Sequence, residues 1–333
     1  MASLIDANHY MLSIDDFRIL EVFHSQSKVK EYKEWAAQHM GISDLAFKGK
    51  GQRVGVIDTG CDSNHQDLKG QVTAANFISG CKQMPASQDN SGHGTFCMGE
   101  IVAKEDGHGI VGAAPKATGF SARVLYGDNR DMRRDSVNKD LANAIRACVQ
   151  EGCHVISMSL GGPGADPHTK GALEHAVSKG LIPVAAAGNE RLEGSPYASY
   201  PASYPNVISV AAADKVNMPA WFSTAGAGGS QDCQPEIAVA SLEFYYGCLP
   251  GISTYGTMIG TSQATPMIAA LALLWREARE LLSSKGGMPM PTGEAVFKEF
   301  RTWLRKIAND TNKNGWDPEL GFGVAIIDPS EMP

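Results

Sequence analysis

From residue 53 onward, short runs of apolar, β-branched residues alternate with longer segments whose apolar positions recur at helical spacing. "RVGVID" (53–58) predicts a strand and "HGTFCMGEIVA" (93–103) a helix. "GFSARVLY" (119–126) reads as a strand and "DSVNKDLANAIRACVQEG" (135–152) as a helix ended by Gly152. The alternation continues with a strand at 154–160, a helix at 168–180 and strands at 181–188 and 206–213. Strands and helices of these lengths in alternation predict an α/β fold: a largely parallel sheet with helices on both faces, three layers in all. In such sheets the ligand crevice lies beyond the carboxyl ends of the strands, so the residues just after each strand carry the interest.

The two ends of the chain follow different patterns. "KVKEYKEWAAQHMG" predicts a helix closed by Gly41, and residues 1–26 form a polar amino-terminal arm ahead of a body spanning 27–333. After Leu281 a Gly/Pro-rich linker leads to a last helix near 294–308.

Composition narrows the function. With 43% hydrophobic and 20% charged residues the chain reads as a globular protein. A net charge of −7 disfavours nucleic acid and anionic membrane as partners. The longest apolar stretch, Met267 to Trp275, is half the ~18 residues that span a bilayer. Asp6, Asp15 and Asp16 leave no basic leader near the start, which predicts no secretory signal. Seven cysteines, odd in number and without a C-x-x-C pair, then predict reduced thiols in a cytoplasm.

Four polar residues stand at the mouths of these elements. Asp58 closes "RVGVID", where it either opens a turn or serves as an acid. His93, in "NSGHGTFC", is either a structural histidine or an exposed base given room by Gly92 and Gly94. Ser262 stands just before a long apolar run, where serine commonly caps a helix and Pro266 falls within the first turn. Asn189 follows the strand "LIPVAAAG", in a turn or as a hydrogen-bond donor. Taken together, acid, imidazole and hydroxyl are the parts of an activated nucleophile. Serine is a weak nucleophile at neutral pH, imidazole can take its proton, and a carboxylate fixes the ring's tautomer.

The blocks "VGVIDTGCDSNHQDL", "SGHGTFCMGEIVA", "VISMSLGGP", "AAAGNE" and "GTSQATP" resemble, in order, the signature blocks of the subtilisin family of serine proteases. The resemblance runs from about residue 45 to 328. It implies a serine endopeptidase acting on proteins or peptides through an acyl-enzyme, with Asp58, His93 and Ser262 as triad. Asn189 and the Ser262 backbone N–H would form the oxyanion hole. Ser159, Leu160, Gly161 and Gly162, with Ala187 and Gly188, would line the substrate pocket. Asp67 and Asp106 match two ligands of the family's calcium site, with carbonyls of Lys104, His108 and Ile110 completing an oxygen cage.

Within the family the intracellular subtilisins are the best match. They imply a cytoplasmic protease whose arm blocks the site until removed, and leave room for a homodimer. A dedicated maturation protease or acyl transferase of the same fold is one alternative, a non-catalytic binding module another. The sequence also departs from the family's usual pattern at Phe96, at Ala240-Ser241-Leu242 and at Gln263 and Met267. Arg130, Arg133 and Arg134 lie where the family contacts upstream substrate residues; they either favour acidic substrates or form a solvated loop.

Overall fold

The computed structural model describes residues 21–24, 32–33, 35–80, 85–126, 134–191, 198–226, 234–242, 245–311 and 315–333. The strands are β1 (Glu21–His24), β2 (Tyr32–Lys33), β3 (Arg53–Asp58), β4 (Val72–Asn76), β5 (Ile110–Val111), β6 (Thr118–Arg123) and β7 (Val155–Met158). They continue with β8 (Ile182–Ala186), β9 (Ile208–Ala213), β10 (Ile237–Ala240), β11 (Tyr245–Leu249), β12 (Thr254–Met258), β13 (Ala308–Asn309) and β14 (Val324–Ala325). The helices are α1 (Trp35–His39), α2 (His93–Val102), α3 (Arg134–Gln150), α4 (Pro167–Ser178), α5 (Thr261–Ser284) and α6 (Glu294–Lys306).

Nine strands form one sheet in the order β13-β14-β10-β9-β8-β7-β3-β6-β4. Every pairing in it is parallel except that of β13 with β14. Its strands read as continuous apolar runs because both faces are covered. Successive residues go to opposite cores: Val56, Val155 and Val184 pack with α5 on one side. Ile57, Ile156 and Ala185 pack with Leu141 and Ile145 of α3 and Leu173 of α4 on the other. The three-layer α/β expectation is therefore met. α4 starts where Asp166 accepts the Thr169 N–H at 2.7 Å and Pro167 takes the first helical position.

β3 sits between β6 and β7, so the chain reverses direction across the sheet there. That reversal opens a crevice at the carboxyl ends of β3, β7 and β8. A separate three-stranded sheet runs β1-β12-β11, with Glu21 opposite Thr257 and His24 opposite Thr254. Part of the arm thus lies along the strand that leads to Ser262.

One expected element is different. The helix read across 28–41 is only the five residues of α1, and Tyr32–Lys33 pairs in parallel with Ile110–Val111 instead. Sheet pairing has overridden local helix propensity. The arginine side chains at 130, 133 and 134 lie outside the described residues.

Candidate active site

The crevice is built from the ends of buried strands. Asp58 closes β3, and its Oδ1 accepts the Thr59 N–H at 2.7 Å and meets His93 Nδ1 at 2.7 Å. Both side chains are buried. A carboxylate oxygen only accepts, so Nδ1 carries the proton and Nε2 is left with the lone pair.

His93 opens α2 after Gly92, whose φ of 88° is the left-handed conformation glycine tolerates. The turn ahead of it is organised by Asp89, which sequence reading passed over. Asp89 Oδ1 accepts from the N–H groups of Ser91 and Gly92 and from Thr59 Oγ1. Its Oδ2 accepts from the Thr95 N–H and Thr95 Oγ1 at 2.8 and 2.7 Å. The usual capping signal points elsewhere, since the cap position is Gly92 and Asp89 lies three residues ahead of it. Gly94 has a different reason from the room it was expected to give the ring. A Cβ there would stand 2.1 Å from the Gly60 carbonyl oxygen, so α2 begins in direct contact with the turn after Asp58.

Ser262 is the second residue of α5, and the cap position belongs to Gly260, which makes no side-chain cap bond. The serine is therefore not the cap. Pro266 lacks the N–H that the Ser262 carbonyl would receive four residues on. Ser159 Oγ donates to that carbonyl instead, at 2.7 Å, and Cys97 Sγ stands 3.8 Å from it. Cys97 is also 3.9 Å from His93 Nδ1, and burial pushes its thiol well above the usual range. One carbonyl thus joins α5 to α2 and to the segment after β7.

Asn189 follows β8. Its Oδ1 accepts from both Thr261 N–H and Thr261 Oγ1, each at 3.0 Å. That fixes the amide and sends Nδ2 the other way. A Cβ on Gly260 would lie 3.3 Å from Asn189 Nδ2 and 3.7 Å from Ser262 N. The absent side chain leaves a space flanked by two N–H donors at the start of a long helix, the arrangement that favours an anion.

The expected pocket segments converge on Ser199. Gly162 bridges Tyr200 through bonds of 3.0 and 2.8 Å, and the Ser199 N–H donates to the Ala187 carbonyl at 2.9 Å. A Cβ at Gly161 would meet Ser199 Cβ at 2.7 Å, and one at Gly188 would meet Glu190 Oε2 at 2.4 Å. Gly161, Gly162, Ala187 and Gly188 are thus close neighbours. Leu160 packs in the α3–α4 core and Ser159 holds the Ser262 carbonyl, so neither acts as an open wall. Glu190, which sequence reading missed, accepts a 3.0 Å bond from Thr224 Oγ1 beside Gly188.

Asp67 lies apart from this crevice and is buried. Its Oδ2 accepts from the Ile110 N–H and Tyr255 OH, both at 3.0 Å, while Oδ1 has no hydrogen-bond partner. A Cβ at Gly109 would fall 2.7 Å from that Oδ1, so the 104–110 loop curls against the carboxylate. An unpaired buried oxygen within such a loop suits a hard cation. Asp106 stands on the same loop with its carboxylate 3.5 Å from Lys104 Nζ. Burial raises the Asp67 pKa and lowers that of neighbouring His65.

Comparison with known proteins identifies the family. The profile of the subtilase family matches residues 49–323. The chain is 39% identical over 234 residues to the major intracellular serine protease of Bacillus subtilis (strain 168), covering 68% of this chain and 69% of that protein. It is 36% identical over 238 residues to subtilisin E of the same organism, covering 70% of this chain and 57% of that one. Subtilisin of Bacillus pumilus is also 36% identical over 238 residues, with 79% of its length covered. With the match spanning β3 to β13, the paired Asp58 and His93 and the start of α5, the chain belongs to the subtilase family.

Proposed function

We propose that Asp58, His93 and Ser262 are the catalytic triad of this chain, a subtilisin-like serine endopeptidase that acts on proteins or peptides. His93 takes the Ser262 hydroxyl proton as Oγ attacks the scissile carbonyl, and Asp58 steadies the resulting imidazolium. Asn189 Nδ2 and the Ser262 N–H receive the oxyanion in the space beside Gly260. His93 then returns the proton to the departing amine, and water hydrolyses the acyl-enzyme by the same relay. Substrate lies extended along the 159–162 and 185–188 segments.

The observation that carries this reading is the buried 2.7 Å Asp58–His93 contact, which leaves Nε2 as the basic nitrogen. The test is labelling of the intact protein by a fluorophosphonate probe. Labelling lost in Ser262→Ala supports the assignment; labelling that persists there refutes it.

The pairing of β1 with β12 supports an inhibitory role for the arm, because it lays residues 21–24 beside the strand entering the site. A chain starting near Ser27 then cleaves peptides faster than the full chain, and equal rates exclude the role. The five described cysteines are all free and buried, which suits a reducing cytoplasm. Asp67, Asp106 and the 104–110 loop would hold calcium, whose part is to fix that loop.

A further inference from the structure

The stretch "ACVQEGCH" (147–154) closes α3 and leads into β7. Gly152 has a φ of 68°, the left-handed turn that commonly ends a helix. Its N–H donates to the Val149 carbonyl at 3.2 Å, and the Cys153 N–H donates to the Cys148 carbonyl at 2.9 Å. These two bonds make a Schellman motif, which sets the side chain just past the glycine against one in the helix's last turn. That contact is commonly hydrophobic; here both partners are thiols. Both are free and buried. A Cβ on Gly55 of β3 would fall 2.4 Å from Cys148 Sγ and 3.4 Å from Cys153 Sγ, so the two sulfurs share the place a side chain there would fill. The hydrogen bond that Cys148 donates to Cys153 pulls the Cys153 pKa below the usual thiol range, with Arg53 adding to it, and raises that of Cys148. Arg53 is itself held by Thr73 Oγ1 at 2.6 Å and Glu151 Oε2 at 3.1 Å.

We propose that Cys148 and Cys153 form a reversible redox site that a hydroperoxide converts into a disulfide. Cys153, as thiolate, attacks one peroxide oxygen; the O–O bond breaks, and the departing hydroxide takes up the proton that Cys153 released. The Cys148 sulfur then attacks the sulfenic sulfur of Cys153. The S–S bond forms, the S–O bond breaks, and the leaving hydroxide takes the Cys148 proton as water. Two thiols thus give up two electrons, and one hydrogen peroxide becomes two waters. Glu151 and Gly152, between the cysteines, are exposed, so a small oxidant enters through the turn. A dithiol reductant reverses the step by exchange. The disulfide joins the end of α3 to the lead-in of β7, at the rim opposite the crevice, and the site uses no member of the triad.

The test treats full-length Ser262→Ala protein, spared self-digestion, with hydrogen peroxide and blocks the remaining thiols by alkylation. Cleavage after glutamate then separates the two cysteines at Glu151, and the fragments are weighed by mass spectrometry. The expected result is the loss of two alkylatable thiols per chain and a joined pair of fragments carrying Cys148 and Cys153. Dithiothreitol restores both thiols. Cys148→Ser leaves Cys153 without a partner, and dimedone then labels it as a sulfenic acid; Cys153→Ser abolishes the loss of Cys148 alkylation. Both cysteines still alkylatable after peroxide, a disulfide from either to another cysteine, or a product that dithiothreitol does not reduce overturns the proposal. Dimedone labelling of Cys148 in Cys153→Ser, without labelling of Cys153 in Cys148→Ser, overturns the assignment of Cys153 as the attacking sulfur. Should Cys148→Ser fail to fold, the joined fragments from the parent decide, and their absence overturns the site.

Discussion

Two helices begin at the crevice after a glycine, and they begin in opposite ways. At α2 the Asp89 carboxylate receives the N–H groups of Ser91, Gly92 and Thr95, and Thr59 Oγ1 receives that of Gly94. The negative charge that a helix start attracts is built in, and His93 is held by a finished network. At α5 the cap residue is Gly260, which has no side chain to offer. Asn189 Oδ1 takes the N–H and the hydroxyl of Thr261, and Ser262 N borders the space beside Gly260. The comparison teaches a division of labour. Under the proposed function, a base needs a fixed ring, so the start of α2 is closed, and an oxyanion needs waiting donors, so the start of α5 is left open.

The largest expected effect comes from spoiling the open end. Asn189→Asp keeps the acceptor for Thr261 and removes the Nδ2 donor. Peptide-hydrolysis kinetics should show kcat reduced at least 10²–10³-fold, roughly the magnitude known for the corresponding donor of subtilisin, a relative of this chain. KM and thermal stability should move little. If KM rises instead while kcat holds, Asn189 binds substrate rather than the oxyanion.

Breaking the closed end has a different signature. Asp89→Ala leaves the Thr95 N–H and the N–H groups of the turn before α2 unsatisfied, and chemical denaturation should register about 1–2 kcal/mol of lost stability. Activity falls with it, and Asp89→Asn, which keeps one acceptor oxygen, recovers part of both. Gly94→Ala sharpens the point from the backbone side. Its Cβ would strike the Gly60 carbonyl, and overpacking of this kind costs about 1–3 kcal/mol in the same measurement.

The smallest effect serves as a control at the opposite rim of the sheet, away from the proposed triad. His154 precedes β7, and its Nδ1 accepts the Arg53 N–H at 3.2 Å. Burial, and then the nearby Arg276, hold its pKa down to about 4. The folded protein therefore keeps His154 neutral where the unfolded chain would bind a proton. Its contribution is complete above the ordinary histidine pKa of about 6.5 and is lost as pH falls towards 4. His154→Gln should flatten the pH dependence of melting temperature in that window and leave peptide hydrolysis at neutral pH unchanged.

The parts legible in the sequence were those with a short-range signature. Alternating apolar runs place β3, β7, β8 and β9 because strands covered on both faces have nothing polar to show. The polar residues at their ends mark the crevice for the same reason. Less legible was anything settled by contacts between distant segments. The stretch 28–41 has helix-forming residues, yet Tyr32–Lys33 joins Ile110–Val111. Gly94 answers to Gly60, and Pro266 frees a carbonyl for Ser159.

Removal of the arm would also alter the surface it leaves behind. β1 is an outer strand, with β12 directly beneath it. A cut that frees residues 21–24 strips the cover from one side of Thr254–Met258 and bares a row of backbone donors and acceptors. Such a cut would create an adhesive margin close to Ser262, ready to receive an extended chain from another molecule.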